Sequence, residues 1–492
     1  MSRKIEKIAI ANRGEVAVRI IRACQELGIE TVLLHSESDI DTFAYRLADE
    51  HVLIGPSEAA KSYLDIQKNI NGALSVNADA IHPGFGFLSE NADFAEACEK
   101  NRLVFVGPTP DSIRLFGDKI SAKELVKKAG GPILPGYQGE DQSESTLLAK
   151  IERLTLPVMV KATSGGGGRG LRVVRDMNQA SAAIQSAKRE SLAAFGSEKV
   201  FLEKYLDHAK HIEFQIFGDA GGKIFNLFDR ECSIQRRHQK IIEEALSPGL
   251  DGVMRSRMSK VAVEIAETAK YRGAGTVEFL YQDGEFYFME MNTRLQVEHP
   301  VTEMVLGVDL VKAQILTAQE QGLLWRQEDL IPHGHAIECR IYAEDPFRGG
   351  LPNTGVISYM QFAHGPNRRF ECGLEAGDIV TSYYDPMIAK VIVWDESRFR
   401  AIRKMIETLK ECVIFGIHTN IAYLIEILKH PEFVDGKMTT QFIEKYFSQG
   451  LKPRQMPNEI LEIASQVNLP EMPISTTVTS DPMSPWIIRG NA

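Results

Sequence analysis

Glu278, Glu290 and Asn292 have side chains that can bind a hard cation. Each acid lies in an otherwise apolar segment, and a glycine turn joins the two segments into a predicted hairpin. A carboxylate inside an apolar strand is costly unless a cation pairs with it. Mg²⁺ would satisfy both acids, with the Asn292 carbonyl and nucleotide phosphates completing its shell. A buried ion pair with Lys or Arg is the alternative.

Every second residue is polar where the chain continues beyond Asn292. If this stretch is extended, Glu290, Asn292, Arg294, Gln296 and Glu298 lie on one side. Arg294 can hold a small oxyanion, and Glu298 can act as a general base beside it. The pattern therefore predicts an oxyanion site next to the cation site.

A glycine-rich loop lies upstream, between two predicted strands. Thr163 and Ser164 precede four consecutive glycines, with Lys161 before the loop and Arg169 after it. Consecutive glycines let backbone N–H groups close around phosphate oxygens, and the two cations add positive charge. Because the Gly-x-x-x-x-Gly-Lys-[Ser/Thr] pattern is absent, the loop is not a P-loop. We interpret it as a nucleotide lid, with a plain flexible loop as the alternative.

Two other polar clusters interrupt apolar sequence. His211, Glu213 and Gln215 alternate with apolar residues and would share one face of a strand, which by itself is typical of a solvated surface. Residues 235–240 form a dense cluster of cationic and amide side chains between apolar neighbours. This second cluster favours an anion site.

The register of the predicted hairpin decides whether its two acids can share an ion. Residues with an even index sum face the same side when the loop has an odd number of residues, and Glu278 and Glu290 have an even sum. A two-residue Asp283-Gly284 turn would put them on opposite faces. We therefore predict a three-residue loop.

The first part of the chain alternates short apolar runs with helical patterns, which predicts a parallel α/β sheet. The predicted strands are 7–12, 31–35, 51–54, 80–82 and 103–106, and the first predicted helix is 16–27. The turn after the first strand lacks the Gly-x-Gly-x-x-Gly fingerprint, which indicates a Rossmann-like shape without NAD.

Beyond this region the pattern changes to an α+β one. Predicted strands pair as hairpins up to residue 334, and 335–450 mixes strands at 336–342 and 388–394 with helices at 399–412 and 420–428. Residues 451–492 are rich in proline, and we expect an extended or partly disordered tail.

Composition excludes several classes of protein. The 492 residues are enough for about three domains. A net charge of −10 without a basic run argues against nucleic acid or anionic lipid as a partner. No apolar stretch is long enough to span a membrane, and there is no secretory signal. The six cysteines form no Cys-x-x-Cys pattern. We expect a cytoplasmic protein.

Together these motifs closely resemble biotin carboxylase, the ATP-grasp component of biotin-dependent carboxylases, over roughly residues 4–450. The motifs that carry the resemblance are residues 10–15, 82–91, 117–119, 235–240, 290–300 and 335–340. The implied domains are a Rossmann-like N-terminal domain (1–117), an ATP-grasp domain (118–334) with its lid near 131–206, a mixed α+β C-terminal domain (335–450) and the tail (451–492). The family often has five consecutive glycines in the lid, so a lid with four is expected to be slightly stiffer.

The resemblance also implies roles for individual residues. The implied ATP-site residues are Lys119, Lys161, Gly167, Gly168, Glu203, Lys204, Tyr205, Leu206, His211, Gln235 and His238. The implied ligands of Mg²⁺ or Mn²⁺ are Glu278, Glu290 and Asn292. The implied bicarbonate ligands are Lys240, Arg294, Gln296 and Val297, with Glu298 as the base, and Arg340 is implied to steady the biotin ring.

The implied reaction is ATP-dependent carboxylation of biotin by bicarbonate through carboxyphosphate. Family members attach biotin to a Met-Lys-Met turn, and this chain has no such sequence. The resemblance therefore implies a separate biotin carboxyl carrier protein, together with a carboxyltransferase subunit and a homodimeric arrangement. Residues 340–346 favour the acyl-CoA carboxylase branch, with acetyl-CoA and fatty acid biosynthesis first, and pyruvate remains an alternative.

Two other functions remain open from the sequence. Another ATP-grasp ligase, such as a carbamoyl-phosphate or purine-pathway enzyme, would share the lid and the metal carboxylates. It would not be expected to combine the residues from Arg294 to Glu298 with Arg340. A non-catalytic nucleotide-binding subunit would be favoured by the loss of Lys161, Glu290 or Glu298, and all three are present.

Overall fold

A computed structural model describes residues 4–162, 171–195, 198–237 and 239–452. The predicted tail, apart from its first two residues, lies outside this part of the chain. Within the described ranges, no helix is long and apolar enough to cross a membrane.

The N-terminal region is a five-stranded parallel sheet in the order β3-β2-β1-β4-β5. Its strands are β1 (Lys7–Ile10), β2 (Glu30–Ser36), β3 (Glu50–Gly55), β4 (Ala80–His82) and β5 (Val104–Phe105). Its helices are α1 (Gly14–Glu26), α2 (Phe43–Leu47), α3 (Ile66–Ser75), α4 (Ala92–Lys100) and α5 (Pro110–Gly117). Ile8, Ala9 and Ile10 are all buried, because helices cover both faces of a parallel sheet. The predicted Rossmann-like sheet is confirmed.

A second unit contains a four-stranded antiparallel sheet in the order β6-β9-β7-β8. Its strands are β6 (Gly136–Tyr137), β7 (Val158–Ala162), β8 (Leu171–Val174) and β9 (Val200–Lys204), with helices α6 (Lys119–Lys128), α7 (Glu144–Leu154) and α8 (Ala180–Phe195) nearby. Ile151, Val160, Ile184 and Leu202 belong to a core cluster of this unit. The predicted glycine lid connects β7 to β8 and lies outside the described residues.

The largest sheet has eight strands in the order β14-β13-β10-β11-β12-β15-β22-β20, and all its neighbours are antiparallel. Its strands are β10 (Lys210–Gly218), β11 (Ile224–Arg236), β12 (Gln239–Ala245), β13 (Gly273–Gln282), β14 (Glu285–Asn292), β15 (His335–Tyr342), β20 (Arg368–Cys372) and β22 (Met387–Asp395). Because β12 pairs with β15, the sheet continues without a break from the central region into the C-terminal region.

The remaining elements surround this sheet. The helices are α9 (Gly252–Thr268), α10 (His299–Leu306), α11 (Leu310–Ala318), α12 (Arg398–Glu411), α13 (Ile421–Lys429), α14 (Pro431–Val434) and α15 (Phe442–Phe447). Three two-stranded sheets pair β16 (Glu344–Asp345) with β17 (Leu351–Pro352), β18 (Gly355–Val356) with β21 (Ile379–Val380), and β19 (Tyr359–Gln361) with β23 (Val413–Phe415).

The two faces of the eight-stranded sheet differ in polarity. One face packs its apolar side chains against α9 and α12. The other face carries charged residues, and directly opposite residues in antiparallel strands point to the same side. The opposed charged pairs are Glu290–Glu278, Glu278–Glu213, Glu213–Arg230, Glu243–Glu338, Arg340–Lys390 and Lys390–Glu371. We call these residues the charged row.

The prediction of a three-residue hairpin loop is wrong. Gln282 pairs with Glu285, so the turn is the two-residue Asp283-Gly284. The register then shifts by one residue between Phe279 and Glu278, where Met289 is the extra residue of a β-bulge. The bulge supplies the odd residue that the parity argument requires, and Glu278 lies directly opposite Glu290.

Glu244 lies on the apolar side of β12, where it forms a buried ionic cluster that should make stability depend on pH. Its carboxylate accepts hydrogen bonds from Arg398 at 2.7 and 2.9 Å and contacts His335 at 2.7 Å. Although burial opposes ionisation, His335 and Arg398 lower the pKa of Glu244 to about 2 from its ordinary 4.5.

Replacing Glu244 with Gln should lower the free energy of unfolding by about 3–5 kcal/mol at neutral pH, the usual cost of breaking a buried pair. A depressed carboxyl pKa stabilises the fold above pH 4.5, and this contribution is lost as the pH falls toward about 2. Urea denaturation at several pH values measures the difference. A destabilisation that stays constant as the medium is acidified would contradict this account.

Candidate active site

Two connected cavities lie above the charged row. The larger has a volume of 1060 Å³ and is lined by residues from all three regions of the chain. The smaller, of 500 Å³, lies between the eight-stranded sheet and the four-stranded sheet. Both cavities are lined by Lys161, His211, Gln235 and Met289. The bulge residue Met289 therefore lies where the cavities meet.

Lys240 is the centre of the charged network in the larger cavity. Its ammonium group donates to Glu213 at 2.5 Å, to Glu298 at 2.7 Å and to Glu278 at 2.9 Å. Burial alone would lower the pKa of Lys240, but the three carboxylates raise it well above its usual range. All three N–H groups have an anionic acceptor, so the side chain is held in one position.

Glu298 lies between two cations at the start of α10. One oxygen accepts from Lys240, and the other accepts from Arg340 at 2.9 Å. Although Glu298 is almost completely buried, Lys240 and Arg340 hold its pKa well below the usual range. The carboxylate is therefore ionised at neutral pH and able to accept a proton.

Glu278 and Glu290 differ in how fully they are paired. Glu278 contacts His211 at 2.8 Å, and it also accepts hydrogen bonds from Lys240, Asn292 and Gln296. Glu290 is open to the cleft, and among the described residues no cation lies within 4 Å of its carboxylate. Partial burial and the charge of Glu278 raise the pKa of Glu290.

The segment from Asn292 to Glu298 is not the extended strand that the alternation predicted. Strand β14 ends at Asn292, and the chain turns at residues 297–298 to begin α10. Even so, Arg294, Gln296, Val297 and Glu298 all line the larger cavity. The turn at residues 297–298, rather than the alternation of a strand, brings these side chains to the same cavity.

Arg294 is surrounded by acceptors. Its guanidinium donates to Glu90 at 2.9 Å, to the Asn292 amide oxygen at 2.9 Å and to the Gln296 amide oxygen at 2.5 Å. These contacts hold a positive charge at the cavity wall. Glu90 comes from the segment after β4, so the contact also ties the N-terminal region to the site.

The smaller cavity is lined by the other predicted nucleotide residues. Lys161 and Lys123 form ion pairs with Glu203, and although Glu203 is buried they lower its pKa to about 2. Residues 203–206 line this cavity. The Gln235 amide lies 2.7 Å from Nδ1 of His211, whose other ring nitrogen faces Glu278. Lys119 lines the larger cavity.

Three predicted site residues fall in the gaps between the described ranges. Gly167, Gly168 and His238 lie outside the described residues. All other predicted site residues line one of the two cavities.

The predicted site omitted three acids that the structure places in it. Glu213 binds Lys240, Glu90 binds Arg294, and Glu243 lies 2.6 Å from Arg340. The sequence marks Glu213 only as part of a polar strand face. Glu243 had a weaker signal, because it is one of two adjacent acids inside an apolar strand.

Comparison with protein families supports one interpretation of this geometry. Residues 4–113 match the model of the biotin carboxylase N-terminal domain, and 338–445 match that of the biotin carboxylase C-terminal domain. Residues 118–325 match the ATP-binding domain of the carbamoyl-phosphate synthase L chain.

Similar proteins cover nearly all of the chain. A biotin carboxylase from Nostoc sp. is 48% identical over 90% of this chain and 99% of its own length. The mitochondrial methylcrotonoyl-CoA carboxylase subunit alpha of Dictyostelium discoideum is 45% identical over 99% of this chain and 70% of its own. The structure resembles the biotin carboxylase domain of Hydrogenobacter thermophilus 2-oxoglutarate carboxylase, with a TM-score of 0.86 and 43% identity over 90% of this chain and 98% of that one.

The resemblance seen in the motifs is thereby confirmed, and the two rival functions lose their support. The chain belongs to the biotin carboxylase family, the ATP-grasp ligases of biotin-dependent carboxylases.

Proposed function

We propose that this protein carboxylates biotin on a separate carrier protein, using ATP and bicarbonate. The observation that carries the proposal is Glu298, an ionised buried carboxylate held between Lys240 and Arg340. Glu298 would accept the proton. Lys240, on one side of it, can hold bicarbonate, and Arg340, on the other side, can contact the biotin ring.

We propose a three-domain division with boundaries at residues 117 and 334, and with residues 451–492 as the tail. The family models, which cover 4–113, 118–325 and 338–445, support it. The region near 131–206 would be the lid, since it contains a separate four-stranded sheet with a core of its own.

We infer that ATP binds in the smaller cavity with its phosphates directed toward Lys119 and Lys161. The similar Hydrogenobacter structure is a complex with MgADP, ADP and bicarbonate. Residues 203–206, at the end of β9, line the smaller cavity and would contact the adenine ring. His211 and Gln235 line both cavities and lie near their junction. The cluster of lysines here provides the positive charge that phosphates require.

The acids of the hairpin fit a divalent ion. Glu290 is open to the cleft, with no cation within 4 Å in the described ranges. Glu278 is directly opposite, and Asn292 is the next residue on the same side of β14. Oxygen ligands of this kind suit Mg²⁺ or Mn²⁺. When bound, the ion would neutralise charge on the phosphates.

In the first step, Glu298 takes the proton of bicarbonate, and a bicarbonate oxygen attacks the γ-phosphorus of ATP. The bond between the γ-phosphorus and its bridging oxygen breaks, which gives carboxyphosphate and ADP. Because the pKa of Glu298 is held low, this step requires strong stabilisation of the doubly charged carbonate. Lys240 and Arg294 are placed to provide it, with the Gln296 amide as a further donor and the Val297 backbone beside it.

In the second step, carboxyphosphate separates into CO₂ and phosphate, and the phosphate takes the proton from a ureido nitrogen of biotin. A bond forms between that nitrogen and the carbon of CO₂. Negative charge moves to the ureido oxygen during this transfer, and the Arg340 guanidinium can stabilise it.

We propose that the carboxyl group passes to an acyl-CoA, with acetyl-CoA first, through a separate carboxyltransferase subunit. The match of 99% of this chain to a methylcrotonoyl-CoA carboxylase subunit supports the acyl-CoA branch. Pyruvate is the alternative acceptor, and identifying the subunit that co-purifies with this chain decides between them.

We also infer that the protein is a homodimer, since the Hydrogenobacter structure is a domain dimer. We further propose a cytoplasmic location.

Replacing Glu298 with Gln should lower bicarbonate-dependent ADP release by about 10²–10⁴, the range expected when a general base is lost. The amide keeps the size of the side chain but cannot accept the proton. ADP formation is measured with and without bicarbonate, and nucleotide binding to the variant serves as the folding control. Unchanged bicarbonate-dependent release would rule out Glu298 as the base.

Replacing Glu290 with Gln should weaken Mn²⁺ binding in the presence of ADP by at least about tenfold. Loss of a residue that only supports a metal ligand already lowers metal affinity by about 10–100-fold, and loss of a direct ligand should cost at least as much. Electron paramagnetic resonance of free Mn²⁺ measures the binding. Glu285→Gln is the matched control, because Glu285 lies on the same strand and is exposed. Equal Mn²⁺ affinity in both variants would contradict the metal assignment.

Expression together with a biotin ligase should leave this chain without covalent biotin. The reason is that the Met-Lys-Met attachment sequence is absent. Intact-mass spectrometry gives the answer, with a known carrier domain biotinylated in the same cells as the positive control. Biotin on any lysine of this chain would overturn the proposal of a separate carrier.

A further inference from the structure

Arg340 is held by two carboxylates that come from different parts of the chain. Its Nη2 atom lies 2.9 Å from Glu298, at the start of α10, and 2.6 Å from Glu243, on strand β12. Both acids are buried, and Glu243 is completely inaccessible to solvent. One guanidinium nitrogen therefore has two anionic partners within reach.

The two carboxylates differ in their other partners. Glu298 also binds Lys240, whereas the only cation within 4 Å of Glu243 in the described part of the chain is Arg340. Lys240 does not depend on Glu298, because Glu213 and Glu278 bind it as well. Among the described residues, no third carboxylate lies within 4 Å of the Arg340 guanidinium.

Glu338 lies directly opposite Glu243 on β15. It is completely buried, and among the described residues no cation lies within 4 Å of it. Burial raises the pKa of Glu338 well above its usual range, with Lys390 opposing the shift and Glu243 reinforcing it. Burial also raises the pKa of Glu243, to about 7, and Arg340 is the main charge that opposes this shift.

The charged groups around Glu243 come from four elements. They are Lys240 on its own strand, Arg340 and Glu338 on β15, Glu298 before α10, and Lys390 behind Glu338 on β22. Of these, only Arg340 lies within ion-pair distance of Glu243. A change at Glu243 should therefore affect the position of Arg340 more than that of any other cation in this group.

We propose that Glu243 is a positioning residue that holds Arg340 in place while Glu298 carries the proton taken from bicarbonate. The inference rests on the proposed function, in which Glu298 becomes neutral in the first step. A neutral Glu298 attracts the guanidinium less, just before Arg340 is needed at the ureido oxygen. Glu243 takes no part in that proton transfer and lies 2.6 Å from the guanidinium, so its contact can keep Arg340 where the second step requires it.

This role makes a prediction that loss of stability alone does not. Proton removal and phosphoryl transfer depend on Lys240, Arg294 and Glu298, whereas carboxyl transfer depends on Arg340. Loss of Glu243 should therefore separate the two half-reactions. ATP would still be cleaved, but less of the carboxyphosphate would reach biotin.

The test replaces Glu243 with Gln and measures two rates with free biotin as acceptor. Bicarbonate-dependent ADP release without biotin should change by less than about threefold, while carboxylation of biotin should fall by about 10–100-fold, as expected for a misplaced group. The ratio of ADP formed to carboxybiotin formed should rise accordingly. A shorter carboxylate in Glu243→Asp should give an intermediate ratio.

Glu244→Gln is the matched control. Glu244 is the next residue on β12, is equally buried and also pairs with an arginine, but it points to the opposite face. Its loss should destabilise the protein more and leave the ratio unchanged. If Glu243→Gln does not fold, Glu243→Asp alone decides the test.

Three results would overturn the inference: equal losses of both rates, an unchanged ratio in both Glu243 variants, or the same rise in ratio in Glu244→Gln. Failure of the proposed function looks different. In that case the unmodified protein itself would show no bicarbonate-dependent ADP release, and the Glu243 comparison would not arise.

Discussion

The ammonium group of Lys240, bound by Glu213, Glu278 and Glu298, is the interaction on which the site depends. Each carboxylate comes from a different element, β10, β13 and the turn before α10, so one cation fixes three parts of the chain. Without it, three buried acids would repel one another, and burial would drive them to take up protons. Glu298, the proposed base, would then be neutral before bicarbonate bound.

The eight-stranded sheet makes such a concentration of charge tolerable. Its apolar face packs against α9 and α12, and this hydrophobic burial offsets the cost of desolvating the charged row. On the polar face, several directly opposite residues carry like charges, and most of these side chains instead meet an opposite charge from another position. Glu290 and Glu338 are the exceptions within the described residues. Glu290 is open to the cleft, and Glu338 is completely buried opposite Glu243.

The sequence predicts much of this arrangement, because several signals are local. Strand and helix alternation predicts the N-terminal parallel sheet, and acids inside apolar strands mark Glu278 and Glu290. The bulge at Met289 is not predictable in this way, since a two-residue turn and a three-residue loop fit the same residues. Nor does the alternation from Asn292 to Glu298 reveal that the chain turns there.

Long-range pairings were also out of reach of local patterns. Glu243 and Arg340 are far apart in the chain, and their contact depends on the pairing of β12 with β15, which no local signal reports. For the same reason the sequence did not show that the central and C-terminal regions share one sheet. The motif resemblance supplied the names of many site residues, but it omitted Glu213 and Glu243.

The pairing of β12 with β15 has a mechanical consequence. It places Lys240, Glu243 and Arg340 on two hydrogen-bonded neighbours, so Lys240, a proposed bicarbonate ligand, and Arg340, the proposed biotin contact, belong to one sheet. The four-stranded sheet beside the smaller cavity is not part of that eight-stranded sheet. Under the proposed function, movement of this smaller sheet would admit or release nucleotide while the spacing between Lys240 and Arg340 stays constant. In this proposal, nucleotide access and the alignment of the two cations would depend on separate parts of the molecule.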